Sequence, residues 1–313
     1  MDILVVLEDN HGSLHRMSKE AIVGAQKLGG TVSALAIGKN ADSLAGELSN
    51  IDIEDVITVK HDLISSYNAD GYTEVVKQVI ESESPNTIIV GHTYQTRDFM
   101  PRVSAKLDIP FIPDIVALDS DRFVKQVLNA KLNATVTVSK EMFILSFQSA
   151  AFSDDDLLPG SCNIQPMEIN LDSSMVRSIT EEPFQEDAGD VDLENAEFII
   201  SVGRGIEKEE NIPMVFDLAK AMGAEVSASR PVVDSGWMDS FRQVGSSGQT
   251  VAPKLYFSLG ISGAIQHVVG MKGSKNILAI NKDSEAPIFE IADFAVIGDI
   301  LEIIPKLLEA LQE

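Results

Sequence analysis

Residues 254 to 299 repeat one unit three times: an apolar, strand-like run that ends abruptly in small or polar residues. The runs LYFSLG, ILAIN and FAVIG end beside Ser262, Asn281 and Asp299, respectively. Short apolar runs separated by helical or loop segments are typical of parallel strands that are buried on both faces. Because parallel strands of an open sheet end at the same edge, we expect these scattered polar residues to meet there and to bind a ligand.

The first half of the chain alternates strand patterns with helix patterns. Strands are predicted at residues 3–8, 31–38, 55–60 and 86–92, and helices at about 14–28, 41–48, 69–83 and 96–107. Such repeats indicate a parallel sheet covered by helices. Beyond Pro113, strand-like runs at 134–139 and 142–147 are separated by only two residues, which favours a hairpin at the edge of the sheet.

The second half adds strand patterns at 197–203 and 224–229 to the three runs described above. Asn211 is the expected N-cap of a helix that ends at Gly223, and Pro305 is expected to begin the last helix. The predicted fold class is therefore α/β, with two domains that are each a mainly parallel sheet flanked by helices. The C-terminal domain is predicted to be doubly wound.

Chain length and charge distribution suggest where the domains divide. A chain of 313 residues exceeds the roughly 250 to 300 residues at which single cores stop growing. Residues 153–197 hold thirteen acidic side chains against one arginine, which is typical of an exposed connector. We therefore predict an N-terminal domain at 1–190, with an acidic connector at about 153–190, and a C-terminal domain at 191–313. The alternative for the middle of the connector is an ordered edge strand around MEINL, residues 167–171.

Composition argues against several classes of protein. The formal net charge of −24 disfavours binding to nucleic acid or an anionic membrane, because both require clustered Lys and Arg. The single cysteine, Cys162, excludes an internal disulfide and a multi-cysteine metal site. No apolar run approaches the roughly 18 residues of a membrane helix, and Met1 leads directly into a strand pattern without a leader. We therefore expect no membrane insertion and a location in the cytoplasm, most simply a prokaryotic one.

The segment GISGAIQH, residues 260–267, is a candidate anion site. A strand stops at Gly260, and a helix is predicted with Ile265 on its buried side. The N–H groups at the start of such a helix bind phosphate, but tight turns also need glycine for packing, so both interpretations stay open on this ground. Gln266 and His267 are expected to point away from the apolar face. His267 could donate to a ring carbonyl, although a lone histidine is more often structural.

Two further features have competing interpretations. Arg230, at the end of a strand, could stack on or bond to an anionic or aromatic ligand, or it could form a salt bridge with Asp234. The GRG turn at 203–205 lacks the third glycine of a dinucleotide fingerprint, which favours a simple turn. The sequence contains no HExxH, complete P-loop, nucleophile elbow or cysteine pair. Together these residues favour binding of a large, anionic, aromatic cofactor over hydrolysis.

Six segments of the second half carry a resemblance to a known family: SRPVVDSGW (229–237), QVGSSG (243–248), LYFSLGISGAIQH (255–267), AINKD (279–283), EAPIF (285–289) and GD (298–299). In this order they resemble the α subunit of electron transfer flavoproteins over most of residues 197–311. The first half is similar more loosely, through RDFMPRVSAKLDIP (97–110) and the strand order. The resemblance implies an FAD that is held mainly by the C-terminal domain, at an interface completed by a β subunit.

The resemblance also implies roles around the flavin ring. Arg230 would lie against the ring and favour its reduction, and Ser247 would bond the flavin near N5. His267 would face the pyrimidine carbonyl, where it would stabilise negative charge on the reduced flavin. Two positions depart from the family pattern: Ser246 replaces a glutamine, so we assign it no role, and Gln148 replaces a frequent arginine, which argues against a charged contact from that loop.

For the rest of the cofactor, the resemblance implies contacts along the sheet edge. Ser229 would lie beside the phosphates, and Ser262, Gly263 and Gln266 would hold the pyrophosphate and ribityl chain. Asn281 and Asp299 would meet the adenosine half. The other cofactor-binding residues expected from the matched motifs are Gln243, Gly248, Gly260, Lys282 and Asp283.

The implied function is that of an FAD-containing electron carrier, working as a heterodimer with a β subunit in which AMP or a second FAD is expected. It would accept electrons from flavin dehydrogenases of the acyl-CoA dehydrogenase type and pass them to a quinone reductase or another acceptor. One alternative is a subunit of an electron-bifurcating flavoprotein that uses NADH. An alternative of another class is a nucleotide-binding regulatory module without redox function.

Overall fold

The computed structural model describes residues 1–119, 122–128, 132–178, 180, 191–193 and 196–312. The chain forms two compact units: the first contains residues 1–127 and 131–183, and the second contains residues 128–130 and 184–313. The predicted domain boundary near 190 lies among residues 181–190, outside the described residues, and stays a prediction. None of the helices in the described part of the chain is long and apolar enough to cross a membrane.

The first unit is built on a nine-stranded sheet covered by helices, as the strand–helix repeats predict. Its strands are β1 Ile3–Val6, β2 Asp9–Asn10, β3 Ser13–Leu14, β4 Val32–Ile37, β5 Asp55–Val59, β6 Thr87–Gly91, β7 Phe111–Asp119, β8 Arg122–Val127, β9 Leu132–Val136, β10 Phe143–Phe147 and β11 Asn163–Pro166. Its helices are α1 Arg16–Leu28, α2 Ala41–Glu47, α3 Ala69–Glu83 and α4 Tyr94–Leu107. The sheet order is β11-β5-β4-β1-β6-β10-β7-β8-β9, and β2 and β3 form a separate small ribbon.

The predicted hairpin between residues 134–139 and 142–147 is wrong. β10 lies inside the sheet, where it pairs in parallel with both β6 and β7. The antiparallel hairpin at the edge is instead formed by β8 and β9. Ile144 and Leu145 are fully buried, so the apolar run of β10 suits an interior strand better than an edge. The short spacing between the two runs did not identify the partners of β10, because strand pairing depends on residues that are distant in the sequence.

The described part of the acidic connector contains an ordered edge strand. β11 pairs in parallel with β5, and Asn163 lies opposite Asp55. Its four side chains are exposed, so a polar sequence is compatible with a strand at this position. Farther on, Leu171 is buried in the core. The edge-strand alternative is therefore correct in kind, but the strand ends at Pro166, directly before MEINL.

The second unit is a doubly wound α/β domain, in agreement with the predicted fold class. Its strands are β12 Phe198–Val202, β13 Glu225–Ala228, β14 Leu255–Leu259, β15 Ile277–Asn281 and β16 Phe294–Ile297. Its helices are α5 Ile212–Met222, α6 Arg230–Asp234, α7 Ile265–Val268 and α8 Ile300–Gln312. The strands are parallel in the order β13-β12-β14-β15-β16. The direction of winding reverses between β12 and β14, which is where such sheets bind ligands.

Three local predictions in the second unit need correction. β16 is exposed on both faces, with Phe294 61% and Ile297 65% exposed, because it is the edge strand of the sheet. Pro305 lies inside α8, which begins five residues earlier. Asn211 occupies the N-cap position of α5, but its side chain donates to the Ile206 carbonyl and accepts no hydrogen bond from the first helical N–H groups. Gly223 ends α5 in the left-handed conformation, as predicted.

Two helical glycines in the first unit should respond oppositely to alanine. A Cβ at Gly24 in α1 would lie 2.3 Å from Cε2 of Phe147, whereas a Cβ at Gly46 in α2 meets nothing within 4 Å. We expect Gly46→Ala to stabilise the fold by about 0.5–1 kcal/mol, because alanine favours the helix. Gly24→Ala should destabilise it by about 1–3 kcal/mol through overpacking. Thermal unfolding followed by circular dichroism measures both, and a stabilised Gly24→Ala variant would contradict this packing.

Candidate functional site

The carboxyl ends of the strands in the second unit surround a cavity of about 610 Å³. This volume lies within the roughly 300–1,000 Å³ typical of small-molecule sites. The cavity adjoins the ends of β12 and β14, where the winding reverses. Its lining residues are Gly203, Arg204, Gly205, Ser229, Arg230, Pro231, Asp234, Gln243, Val244, Gly245, Ser246, Ser247, Gly260, Ile261, Ser262, Ala264, Gln266, His267, Asn281, Asp283 and Ala286.

Most of the residues singled out from the sequence meet at this cavity. Those that line it are Ser229, Arg230, Gln243, Ser247, Gly260, Ser262, Gln266, His267, Asn281 and Asp283. Four predicted residues do not belong to the lining: Gly248, Gly263, Lys282 and Asp299. The contacts of each residue with a ligand stay predictions, but the expected convergence at the sheet edge is present.

The GRG turn is part of the cavity wall, so its interpretation as a simple turn was incomplete. A Cβ at Gly203 would lie 2.3 Å from the carbonyl oxygen of Gly260, and a Cβ at Gly205 would lie 2.7 Å from the Gly260 Cα. Gly260 itself has a φ of +64°, which glycine adopts at little cost. These glycines let the turn after β12 touch the end of β14. The signal in the sequence was a glycine pair directly after the strand at the reversal point.

The loop after β14 offers backbone donors to the cavity. Within the described residues, the N–H groups of Ser262, Gly263 and Ala264 have no hydrogen-bond partner. The helix that follows, α7, has only four residues, so its dipole adds little and the predicted helix-based anion site is replaced by a loop. Of these residues Ser262 and Ala264 line the cavity, whereas Gly263 is buried against the backbone of Ile288. The free N–H groups of Ser262 and Ala264 can bind an anionic oxygen without a basic side chain.

The orientation predicted for the following residues was wrong. Ile265 is 44% exposed, whereas His267 is only 6% exposed and buried against the core. Since α7 is a single turn, it presents no continuous apolar face, and helical periodicity could not assign its buried side. Gln266 is exposed, as expected, and lines the cavity.

Burial determines the charge of His267. Removal from water lowers the pKa of its imidazole from 6.5 to about 4, and the nearby Val244 backbone carbonyl opposes only part of this shift. The ring is therefore neutral at pH 7. Its Nε2 lies 2.9 Å from the hydroxyl of the buried Tyr256. Its Nδ1 is buried and makes no hydrogen bond of ordinary geometry within the described residues.

Gln243 and Ser247 form a pair on one wall of the cavity. The Gln243 side-chain amide donates to the Ser247 hydroxyl oxygen at 3.0 Å. Gln243 is nearly buried, whereas Ser247 is exposed. Because the oxygen of Ser247 already accepts a hydrogen bond, its own proton is available to donate to a ligand acceptor.

Arg230 forms the salt bridge that was the alternative to a ligand contact. Its Nε lies 3.3 Å from Oδ2 of Asp234, one helical turn away, and both side chains are about two-thirds exposed. Exposed pairs of this kind stabilise a protein by only about 0–1 kcal/mol. Arg230 also lines the cavity, so its guanidinium can exchange this weak partner for an anionic or aromatic ligand.

Several of the predicted residues make contacts within the protein itself. Asn281 donates to the Ile261 carbonyl at 2.8 Å, which ties the end of β15 to the loop after β14. Lys282 and Asp299 form an ion pair at 3.0 Å. Asp299 also accepts from the Leu301 N–H at 2.9 Å, which caps α8, and this bond is the main cause of its lowered pKa. Gly248 and Gly263 pack against the backbones of neighbouring segments.

Comparison with family models matches both units to one family. The model described as "Electron transfer flavoprotein FAD-binding domain" matches residues 192–272. The model described as "Electron transfer flavoprotein domain" matches residues 3–168. The first of these ranges includes most of the cavity lining.

Similar proteins cover nearly the whole chain. "Electron transfer flavoprotein subunit alpha" of Bacillus subtilis (strain 168) is 34% identical over 320 aligned positions, covering 99% of this chain and 97% of that protein. "Protein FixB" of Clostridium saccharobutylicum is 30% identical and covers 99% of this chain and 96% of its own length. "Probable electron transfer flavoprotein subunit alpha, mitochondrial" of Cryptococcus neoformans var. grubii is 33% identical, covering 98% of this chain and 90% of that protein.

The buried, neutral His267 predicts a pH dependence of stability. Its pKa in the folded state is below the unfolded value of about 6.5, so the unfolded chain takes up a proton first as the pH falls. We expect the second unit of the cofactor-free protein to lose on the order of 3 kcal/mol from this group between pH 7 and pH 4. Denaturant unfolding followed by the fluorescence of Trp237, the only tryptophan, reports on this unit.

The matched variants are His267→Gln, which cannot titrate, and His11→Gln, which replaces an exposed ring in the first unit. The difference in unfolding free energy between wild type and His267→Gln should shrink as the pH falls, by more than the corresponding difference for His11→Gln. A pH-independent difference for His267→Gln would contradict the neutral state of the buried ring.

Proposed function

The chain belongs to the electron transfer flavoprotein α-subunit family, and from that premise we propose that its second unit holds FAD in the cavity at the ends of β12, β14 and β15. As a member of this family it is a redox carrier rather than an enzyme that transforms a substrate. The observation that carries the proposal is the convergence of free backbone donors, Arg230 and a buried histidine on one cavity. Bound FAD supplies the electron-accepting and electron-donating chemistry.

The phosphates of FAD fit the loop after β14. The N–H groups of Ser262 and Ala264, which line the cavity, lack protein partners among the described residues and can donate to the pyrophosphate. The absence of side chains at Gly205 and Gly260 lets the two loops that form this part of the wall touch each other. Backbone N–H groups bind phosphate without adding positive charge, which is compatible with the acidic composition of the chain.

The polar side chains of the cavity fit the flavin ring. The hydroxyl proton of Ser247 is free to donate, because Gln243 occupies its oxygen. The salt bridge of Arg230 with Asp234 is a weak surface pair, so the guanidinium is available to a ligand. Its positive charge would stabilise negative charge on the flavin ring. His267 supplies a neutral, buried ring whose Nδ1 is without an ordinary hydrogen bond.

The finer assignment concerns the partners of the chain. We propose that it acts in the prokaryotic cytoplasm as a heterodimer with a β subunit that carries AMP or a second FAD. Electrons would come from flavin dehydrogenases of the acyl-CoA dehydrogenase type and pass to a quinone reductase or another acceptor. The support is the similarity over nearly the whole chain to proteins named as α subunits.

Co-purification of the chain with its β subunit tests this function. The complex should be yellow, release FAD on denaturation and bleach with dithionite. A colourless complex that retains ATP would contradict the redox role and favour a regulatory module. Reduction by NADH alone, coupled to two acceptors of different potential, would replace the simple carrier with the electron-bifurcating alternative.

Removal of the Arg230 charge should weaken the flavin site. We expect Arg230→Ala to lower the midpoint potential of the flavin or to reduce FAD occupancy, because a cation beside the ring stabilises the reduced form. Lys220→Ala is the matched control, since it removes an exposed positive charge of α5 that does not line the cavity. Spectroelectrochemical titration with a parallel FAD assay measures both quantities. An unchanged potential with full occupancy in Arg230→Ala would rule out the role.

A further inference from the structure

A buried tyrosine contacts the histidine that lines the cavity. Tyr256 in β14 is fully buried, and its hydroxyl lies 2.9 Å from Nε2 of His267. The two rings meet edge to face, with centroids 6.1 Å apart. Tyr256 does not line the cavity, so any influence on a ligand must pass through His267.

Three buried serines lie on the same face of the sheet. The strand register places Ser227, Ser201 and Ser258 side by side across β13, β12 and β14. All three are fully buried, and within the described residues their hydroxyl oxygens make no hydrogen bond of ordinary geometry. Ser258 and Tyr256 are two residues apart in one strand, so their side chains share this face. The phenol is therefore surrounded by hydroxyl groups in an otherwise apolar core.

The direction of the bond between phenol and imidazole follows from its surroundings. Burial raises the pKa of Tyr256, so the phenol keeps its proton. The hydroxyl oxygens of Ser201 and Ser227 make no hydrogen bond of ordinary geometry within the described residues, so they do not set the direction of the phenol proton. The protonated phenol can donate, and Nε2 of His267 lies 2.9 Å from its oxygen.

A neutral imidazole carries one proton, and an acceptor Nε2 requires that proton to be on Nδ1. The backbone carbonyl of Val244 lies near the ring and favours its protonated form, which is consistent with an N–H that faces a carbonyl. Val244 and His267 both line the cavity. The hydrogen bond between the phenol and Nε2 therefore determines which ring nitrogen carries the proton.

We propose that Tyr256 is a positioning residue for the flavin site: its hydroxyl donates to Nε2 of His267, fixes the ring against the core and holds the imidazole proton on Nδ1. This inference rests on the proposed FAD site. A ring held in one orientation and one tautomer keeps its dipole fixed in a water-poor wall, so it needs no rearrangement when negative charge develops on a ring in the cavity.

The test uses the complete complex with the β subunit, labelled with nitrogen-15 histidine, in FAD-loaded and FAD-free forms. In wild type at pH 7 the His267 signals, identified by their loss in His267→Gln, should show a protonated Nδ1 and an unprotonated Nε2. In Tyr256→Phe we expect the proton to redistribute toward Nε2. Tyr72→Phe removes another buried phenol, in the first unit, and should leave these signals unchanged.

The same variants are compared by redox titration. Tyr256→Phe should retain FAD but change the ratio of reduced to oxidised flavin at a given applied potential by about three- to tenfold toward the oxidised form, the effect of about one hydrogen bond. In a His267→Gln background the same change should have no further effect, because the phenol acts through the imidazole.

Three results would overturn the proposal: a protonated Nε2 in wild type, an unchanged tautomer and potential in Tyr256→Phe, or an equal shift in the His267→Gln background. The first needs only the wild-type protein, so it applies even if Tyr256→Phe does not fold. A complex without flavin would refute the proposed function instead, and the tautomer of the FAD-free protein would still test the bond between Tyr256 and His267.

Discussion

The candidate site depends on one close contact, between the turn that follows β12 and the end of β14. A Cβ at Gly203 would lie 2.3 Å from the Gly260 carbonyl oxygen, so no other residue fits there without displacement of the backbone. The contact lies where the winding of the sheet reverses, and the strand ends diverge beyond it to leave the cavity. The contact places the turn that carries Arg204 against the loop that leads to Ser262 and His267.

The electrostatics of the cavity differ from those of the whole chain. The formal charge of −24 would repel a cofactor that carries phosphates, yet Arg204 and Arg230 line the cavity and the loop after β14 adds uncharged N–H donors. The buried dyad of Tyr256 and His267 is neutral in both members. A site of this kind stabilises a negatively charged ligand through oriented dipoles and one or two local cations. The acidic surface can then contribute to solubility.

Much of this arrangement could be predicted from the sequence because its signals are local. The apolar runs predicted the strands of both sheets, and the rule that parallel strands end at one edge predicted that Ser262, Asn281 and Asp299 would meet. Ser262 and Asn281 line the cavity, whereas Asp299 does not. The failures concern non-local facts. Strand pairing placed β10 inside the sheet, and a one-turn helix buried His267 rather than Ile265. Neither outcome is encoded by periodicity within a few residues.

An experimental structure of the FAD-loaded complex with the β subunit would test the central claim, that FAD occupies the cavity of the second unit, most directly. The account predicts the isoalloxazine ring within hydrogen-bond distance of Ser247 and against Arg230, and the pyrophosphate at the N–H groups of Ser262 and Ala264. FAD bound elsewhere in the complex, with this cavity empty, would contradict the account.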